Sequence, residues 1–185
     1  MRLGKDLVGK PIYSVTEGKL LGEVKDLYLD QEAGTITGIF LGKEGLFSRK
    51  ALLIPRDGVS VFGLDVILVK NNNVVTDSNQ YAPAAGWLRR GDLQGRGIDT
   101  PGGTKVGTVG DIIVDEEANV AGYSLARVYV EGPIADNRLI AREAVQDVGQ
   151  EDGVMTVDIT RAEATPLEAP ANPDAGADGE AKAGS

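Results

Sequence analysis

The stretch that decides the fold of this chain occurs twice. Residues 21–30 read LGEVKDLYLD, and residues 106–115 repeat the pattern as VGTVGDIIVD. In both copies a glycine precedes a valine, an aspartate and an apolar run that ends in a second aspartate. An acidic segment follows each copy, as is typical of a strand that enters a tight turn.

Further matching segments lie on either side of this stretch. The segment DLVGKPI at 6–12 corresponds to DLQGRGI at 92–98, and LIPR at 53–56 corresponds to LIAR at 139–142. The blocks keep the same order and a nearly constant spacing, which is the signature of an internal repeat. We therefore predict four parts: a first domain at 1–73, a connector at 74–91, a second domain at 92–161 and a tail at 162–185.

The spacing of apolar residues within each unit predicts bent strands. Residues 36–41 alternate in the manner of a pleated strand. Val24 and Leu27 are three positions apart, whereas Leu27 and Leu29 are two apart. One face holds all three only if a β-bulge adds a residue near 25–26, and the second copy shows the same spacing. Bulges bend strands, and bent strands allow a small sheet to close into a barrel.

Composition agrees with an all-β class of fold. Glycine is abundant at 25 residues and aromatic residues make up only 5%, which favours short strands and tight turns over long helices. We expect Gly34 and Asn119 to adopt positive φ in the two acidic turns. The prediction is two tandem small β-barrels, each closed around its own aliphatic core. Residues 162–185 are acidic and contain only one large apolar residue, Leu167, so we expect a disordered tail.

Charge and missing residue types exclude several functions. The chain has no cysteine and no histidine, which removes thiolate nucleophiles, imidazole bases and the usual zinc sites. We therefore expect no enzyme activity, no cofactor and no metal. The net charge of −9 disfavours direct nucleic-acid binding. With no signal peptide and no apolar run of roughly 20 residues, we expect a cytoplasmic protein without a transmembrane segment.

Three polar motifs suggest chemistry, but a structural role is favoured for each. Asp26 and Asp111 resemble a carboxylate pair, yet an aspartate at a bulge more often accepts bonds from backbone N–H groups. Residues 30–32 and 115–117 lack the further ligands of a calcium loop. The GGTK segment at 102–105 lacks the residue order of a phosphate-binding loop, and a strand is predicted after it.

Exposed aromatic and aliphatic residues are the candidates for an interface. Leu46 and Phe47 lie in a glycine-flanked loop, and Tyr81 and Trp87 lie in the connector. Such side chains either fold onto the protein or contact a partner. We expect burial between the two barrels to be the commoner outcome, and we name these four residues as candidate interface residues.

The repeated blocks resemble the PRC-barrel family, which is named for the photosynthetic reaction-centre H subunit and also forms the C-terminal part of a ribosome maturation factor. The first unit carries the whole signature, which comprises Leu7, Gly9, Gly22, Val24, Asp26, Asp30, Ile54 and Pro55. In the second unit Ala141 replaces the proline, so we expect its final loop to differ. The resemblance implies a barrel fold and a docking or scaffold role.

These observations lead to two functional hypotheses. The first is a non-enzymatic docking or scaffold module that binds a protein partner, with a homodimer through exposed edges or loops as one form of that partner. The alternative is a module that binds a small ligand or a lipid headgroup in the groove between the barrels.

Overall fold

The structure, a computed structural model, describes residues 1–46 and 50–171. These residues form an all-β protein with sixteen strands and three short α-helices, which confirms the predicted class. The strands of the first half are β1 (Arg2–Leu3), β2 (Pro11–Ser14), β3 (Leu20–Glu23), β4 (Asp26–Leu29), β5 (Ile36–Glu44), β6 (Lys50–Pro55), β7 (Val59–Phe62), β8 (Ile67–Val69) and β9 (Thr76–Asp77).

The remaining elements belong to the connector and the second half. The strands are β10 (Leu88–Arg89), β11 (Gly97–Asp99), β12 (Lys105–Val114), β13 (Val120–Val128), β14 (Leu139–Ala141), β15 (Val145–Asp147) and β16 (Val154–Val157). The helices are α1 (Arg90–Leu93), α2 (Pro133–Asn137) and α3 (Ile159–Ala164). Short 3-10 turns lie at Gly4–Asp6, Arg56–Gly58, Asn72–Val74, Ser78–Gln80, Ala82–Gly86 and Arg142–Ala144. Helix α3 crosses the boundary at which we predict the tail to begin.

The two halves have the same strand connectivity. In the first half, one sheet has the order β3-β2-β8-β7 and another has the order β10-β4-β5-β6-β9. In the second half, the order β14-β13-β12-β11-β16-β15 joins the equivalent strands into one sheet. The sheets merge because β12 is continuous, whereas its counterpart in the first half is broken into β3 and β4.

The predicted bulge is present where this strand bends. The pairing of β12 with β13 shifts register on both sides of Val109, and in the first half the strand breaks at residues 24–25. The extra residue turns the three spaced apolar side chains to one face, so Val24, Leu27 and Leu29 are all buried.

Each half completes a sheet of the other half. Strand β1, which begins the first half, pairs with β12, and β10, which precedes the second half, pairs with β4. The two acidic turns also meet, because Ile36 N donates to Ala118 O at 3.1 Å and Val120 N donates to Gly34 O at 2.9 Å. The halves are therefore joined by a reciprocal exchange of backbone hydrogen bonds.

The buried side chains form a core that both halves share. Leu27 and Ile39 of the first half belong to the same continuous cluster as Val109 and Ile112 of the second. The expectation that each barrel closes around its own core is therefore wrong. Exchanged strands and facing turns bring the two apolar interiors into contact, and burying them together removes more apolar surface from water.

Two local predictions about backbone conformation are also corrected. The residues at positive φ in the acidic turns are Ala33 (φ 51°) and Ala118 (φ 63°), not Gly34 and Asn119. The positive φ therefore falls one residue earlier than expected, and Asp30 Oδ1 closes the turn by accepting a hydrogen bond from Gly34 N at 2.7 Å. Both alanines are buried, and this leaves room for only a small side chain.

The replacement of proline by Ala141 does not change the final loop. Ala141 has φ −66° and ψ 144°, and Pro55 has φ −62° and ψ 150°. Both residues precede a 3-10 turn, so an alanine adopts here the conformation that proline favours. The substitution itself therefore leaves the local backbone unchanged, although the turn before the closing strand does differ, spanning residues 63–66 in the first half and 148–153 in the second.

The buried hydroxyl of Tyr123 offers a test of the contact between the halves. It donates to Ala33 O at 2.9 Å, and burial raises the pKa of Tyr123 to about 12. Tyr123→Phe should lower the free energy of unfolding by about 1–2 kcal/mol, because the Ala33 carbonyl loses its buried donor. Urea denaturation measures this, with the exposed Tyr129→Phe as control. Equal stabilities of the two variants would contradict the contact.

Candidate functional site

A buried arginine joins the two repeated aspartates. Arg90 begins α1 directly after β10, and the pairing of β10 with β4 carries its side chain to the junction of the two halves. Arg90 Nη1 lies 2.9 Å from Asp111 Oδ1, and Arg90 Nε lies 3.4 Å from Asp26 Oδ1. The three side chains are buried. The aspartates therefore come together at one cation, although each belongs to a different repeat.

Two backbone N–H groups donate hydrogen bonds to each of the two carboxylates, from equivalent positions in the two halves. Asp26 accepts hydrogen bonds from Leu27 N at 2.9 Å and from Gly91 N at 3.1 Å. Asp111 accepts from the equivalent groups, which are Ile112 N and Lys5 N, both at 2.8 Å. A general acid or base needs a free position that faces a substrate, and these oxygens face backbone donors. The arrangement is a structural junction, as the interpretation of the sequence favoured.

The junction is asymmetric because the residue equivalent to Arg90 is Gly4. A Cβ at Gly4 would lie 2.6 Å from Ile112 Cγ1 and 2.7 Å from Arg90 Cδ. The glycine thus leaves space for the arginine of the other half. Burial raises the pKa of Asp111, and the Lys5 N–H and the charge of Arg90 offset this shift only in part. Sequence reasoning missed Arg90, although its place just before the repeated Asp-Leu segment was visible.

The aromatic residues of the connector lie on the first half, not between the two units. Trp87 packs with its ring centroid 5.6 Å from those of Tyr28 and Tyr81. Arg89 places its guanidinium 4.2 Å from the centre of the Phe40 ring. Tyr28 and Phe40 stand on the outer face of the β4–β5 sheet, which is where the connector finds aromatic partners. The expectation of burial between the barrels is therefore wrong for Tyr81 and Trp87, which remain half-buried.

The other two predicted interface residues lie between β5 and β6 in the chain. Leu46 is 95% exposed. Phe47 lies outside the described residues. No neighbour among the described residues shields Leu46, and such residues in a group mark contact surfaces.

A row of apolar side chains crosses the four-stranded sheet of the first half. Tyr13 on β2 pairs with Leu20 on β3 and with Leu68 on β8, and Leu68 pairs with Val61 on β7. Directly paired residues point to the same face. The exposed fractions are 59% for Leu20, 39% for Tyr13 and 48% for Val61, and Leu68 is half-buried. We call these four residues the apolar row.

The same row in the second half is polar. Asp99 on β11 pairs with Lys105 on β12 and with Thr156 on β16, and Thr156 pairs with Asp147 on β15. Lys105 Nζ lies 3.9 Å from Asp99 Oδ2. The two sheets have the same connectivity, yet only one presents apolar side chains to solvent. Sequence reasoning did not identify the row, because its members are separated along the chain and only strand register brings them together.

A cleft of about 780 Å³ lies between the halves beside β1. Arg2 donates to Gly63 O at 2.7 Å and to Phe62 O at 2.5 Å, which ties β1 to the turn before β8. The other residues that line the cleft include Leu64, Asp115 and Glu116. This cleft corresponds to the groove in which the alternative hypothesis places a ligand.

The loops with a faint resemblance to ion and phosphate sites are turns. Asp30 and Asp115 each close a turn by accepting a backbone N–H four residues later. Thr104 N donates to Thr100 Oγ1 at 3.1 Å within the GGTK turn. Among residues 1–46 and 50–171 no three acidic side chains are placed to share a metal ion. Within the same part of the chain, every helix is too short or too polar to cross a bilayer.

Comparison with known families identifies the first half. Residues 1–78 match the family model of the PRC-barrel domain. This match confirms the resemblance for the first unit and does not extend to residues 92–161. No curated protein matches the chain.

Removal of the buried cation tests the junction. Arg90→Met should lower the free energy of unfolding by about 3–5 kcal/mol, because it leaves two buried carboxylates without their shared counter-charge. Arg89→Met is the matched control, since Arg89 is more exposed and lies 3.8 Å from Asp26 Oδ2. Its loss should cost about 1–2 kcal/mol, because it removes one partly exposed ion pair and the contact with the Phe40 ring. Denaturation of both variants under one condition makes the comparison, and similar losses would contradict the junction.

The raised pKa of Asp111 predicts a pH dependence of stability. The folded protein binds the proton of the Asp111 carboxyl more tightly than the unfolded chain does. The contribution of Asp111 to the free energy of unfolding is therefore fully present below its unfolded pKa and is lost as pH rises through its folded pKa. The unfolding free energy of wild type relative to Asp111→Asn should therefore fall as pH rises. Urea titrations from about pH 3.5 to about pH 7 measure the difference. A difference that rises with pH would show the opposite shift.

Proposed function

We propose that the chain is a non-enzymatic docking module that binds a protein partner, with residues 92–161 forming a second PRC-barrel-like domain. The observation that supports it is the distribution of exposed apolar side chains. Of eight large exposed hydrophobic residues among those described, seven lie in the first half. The seven are Met1, Tyr13, Val15, Leu20, Leu46, Val61 and Leu64.

This distribution favours protein binding for a physical reason. Isolated exposed hydrophobic residues are ordinary on a protein surface, but a concentration of them on one of two similar units is costly in water unless a partner covers them. The second half has the same strand connectivity and exposes only Tyr129 from this group. The β-fold therefore does not require the apolar surface of the first half.

Leu46 is the proposed anchor of the docking surface. Phe47, Tyr81 and Trp87 complete the proposed interface: the two connector residues pack against side chains of β4, β5 and β6, and Leu46 and Phe47 lie between β5 and β6 in the chain. Apolar and aromatic anchors of this kind dominate the binding energy of many protein interfaces. The saturated carboxylates at the Arg90 junction give a catalytic role no support. We place the protein in the cytoplasm as part of the same proposal.

The cleft beside β1 supports a second candidate function, the binding of a small ligand or a lipid headgroup. Its volume of about 780 Å³ lies within the range of ligand pockets. A ligand that binds only the folded state raises the melting temperature by mass action. A panel of polar metabolites and soluble headgroup analogues, measured by thermal denaturation, tests this function. A panel without any shift would rule it out.

Capture of partners tests the docking function. Wild-type protein, Leu46→Asp and Tyr129→Asp are immobilised in equal amounts, and proteins captured from native lysate are quantified by mass spectrometry. We expect Leu46→Asp to lose the specific partner at least tenfold, because a charge in the buried centre of an interface lacks compensation. Tyr129→Asp introduces the same charge on the second half and should retain the partner. Retention by Leu46→Asp would contradict the proposed anchor.

A further inference from the structure

We propose that the apolar row is the contact surface for a second copy of this chain, which packs its own apolar row against it. This deepens the docking function proposed above and rests on it in part, because four of the seven exposed residues that support docking lie on or beside the β3-β2-β8-β7 sheet and not between β5 and β6, where Leu46 lies: Tyr13, Val15, Leu20 and Val61. The two copies would form a symmetric pair in which one four-stranded sheet faces another.

Comparison of the two halves shows that the fold does not require apolar residues in this row. At the same pairing positions the second half carries lysine, aspartate, threonine and aspartate. Both rows stand on sheets of the same connectivity, and both point away from the shared core. The polar row of the second half shows that such a sheet forms with polar side chains at these positions. The stability of the sheet therefore does not explain why the first half has apolar residues there.

The charge of the molecule favours a second copy at this face. The chain carries a net charge of −9, so two copies repel each other over most of their surfaces. The four strands β2, β3, β7 and β8 contain a single charged residue, Glu23, and it already pairs with Lys25. Two copies that meet through this sheet therefore bring no unpaired like charges together within the strands.

The apolar row is also complementary to itself in size. A two-fold axis parallel to the strands places β2 over β8 of the second copy and β3 over β7 of the second copy. Tyr13 then faces Leu68, and Leu20 faces Val61, so a larger side chain meets a smaller one at both positions. Facing sheets pack about 10 Å apart with such interdigitation and twist by about 30° relative to each other.

The residues that follow β2 and β8 fit the same arrangement. Val15 and Lys70 each follow the last registered pair of β2 and β8, which is Ser14 with Val69, and so lie two residues beyond Tyr13 and Leu68. The two-fold axis places Val15 over Lys70 of the second copy. The aliphatic stem of the lysine can cover the valine while its ammonium group stays in water. Lys70 therefore does not oppose Lys70 of the other copy.

The size of the sheet sets the expected strength of the pair. Four strands about 4.8 Å apart give a face roughly 19 Å wide. Interfaces below about 1,200 Å² in total form weak, concentration-dependent complexes. We therefore expect a reversible dimer with a dissociation constant in the micromolar range, not a permanent one.

Sedimentation equilibrium of the full chain tests the proposal. The average mass of wild type should rise from the monomer value of 19.4 kDa towards twice that value as concentration increases. Tyr13→Asp should weaken association at least tenfold, and Leu20→Lys, which introduces the residue of the second half, should do the same. Tyr129→Asp and Leu46→Asp should associate like wild type, and circular dichroism checks that each variant is folded.

Several outcomes would overturn the pairing. One is a wild-type chain that stays monomeric up to about millimolar concentration, at which even weak complexes form. Another is a folded Tyr13→Asp variant that associates as strongly as wild type. Equal weakening by Tyr129→Asp would show a general charge effect instead. Loss of partner capture by Leu46→Asp with a monomeric wild type would leave the docking function standing and remove only the dimer.

Crosslinking tests the direction of the two-fold axis. The chain has no cysteine, so single cysteines report without background. A mixture of Tyr13→Cys and Leu68→Cys, treated with a short bismaleimide, should crosslink faster than Tyr13→Cys alone, because β2 lies over β8 of the second copy. Faster reaction of Tyr13→Cys with itself would overturn this arrangement.

Discussion

The buried contact of Arg90 with Asp26 and Asp111 is the constraint on which the arrangement of the two halves depends. A guanidinium removed from water is tolerated only beside negative charge, and each buried carboxylate likewise requires donors. The repeated aspartates also accept backbone N–H groups from the leading segment of the other half, at Gly91 and Lys5. One charge cluster therefore fixes both leading segments, and with them the strands β1 and β10.

The exchange of these strands explains why the molecule has one core. Each half supplies a short strand to the sheet of the other, and the two acidic turns meet through backbone hydrogen bonds. Apolar residues from both halves then pack in one continuous cluster. Either half alone would expose part of this cluster and leave edge strands unpaired, so duplication here provides a larger shared interior than two small barrels would have.

Outside the core the two copies have different surfaces. The apolar row of the first half is matched by a charged and polar row in the second. Core positions keep their residue class because both copies must fill the same interior. Surface positions are free from that constraint, so their divergence carries information about binding. The surfaces that we propose for binding both lie on the first half.

The sequence by itself determined the all-β class, the duplication and the bulge, because strand periodicity and turn residues are local and occur twice. It also indicated correctly that Asp26 and Asp111 accept hydrogen bonds from backbone N–H groups. Only the tertiary structure decided the shared core, the role of Arg90, the place of Trp87 on the first sheet and the apolar row. Each of these depends on which strands pair and in which register. Pairing joins residues far apart in the chain, and a shift of one residue would turn every side chain to the opposite face.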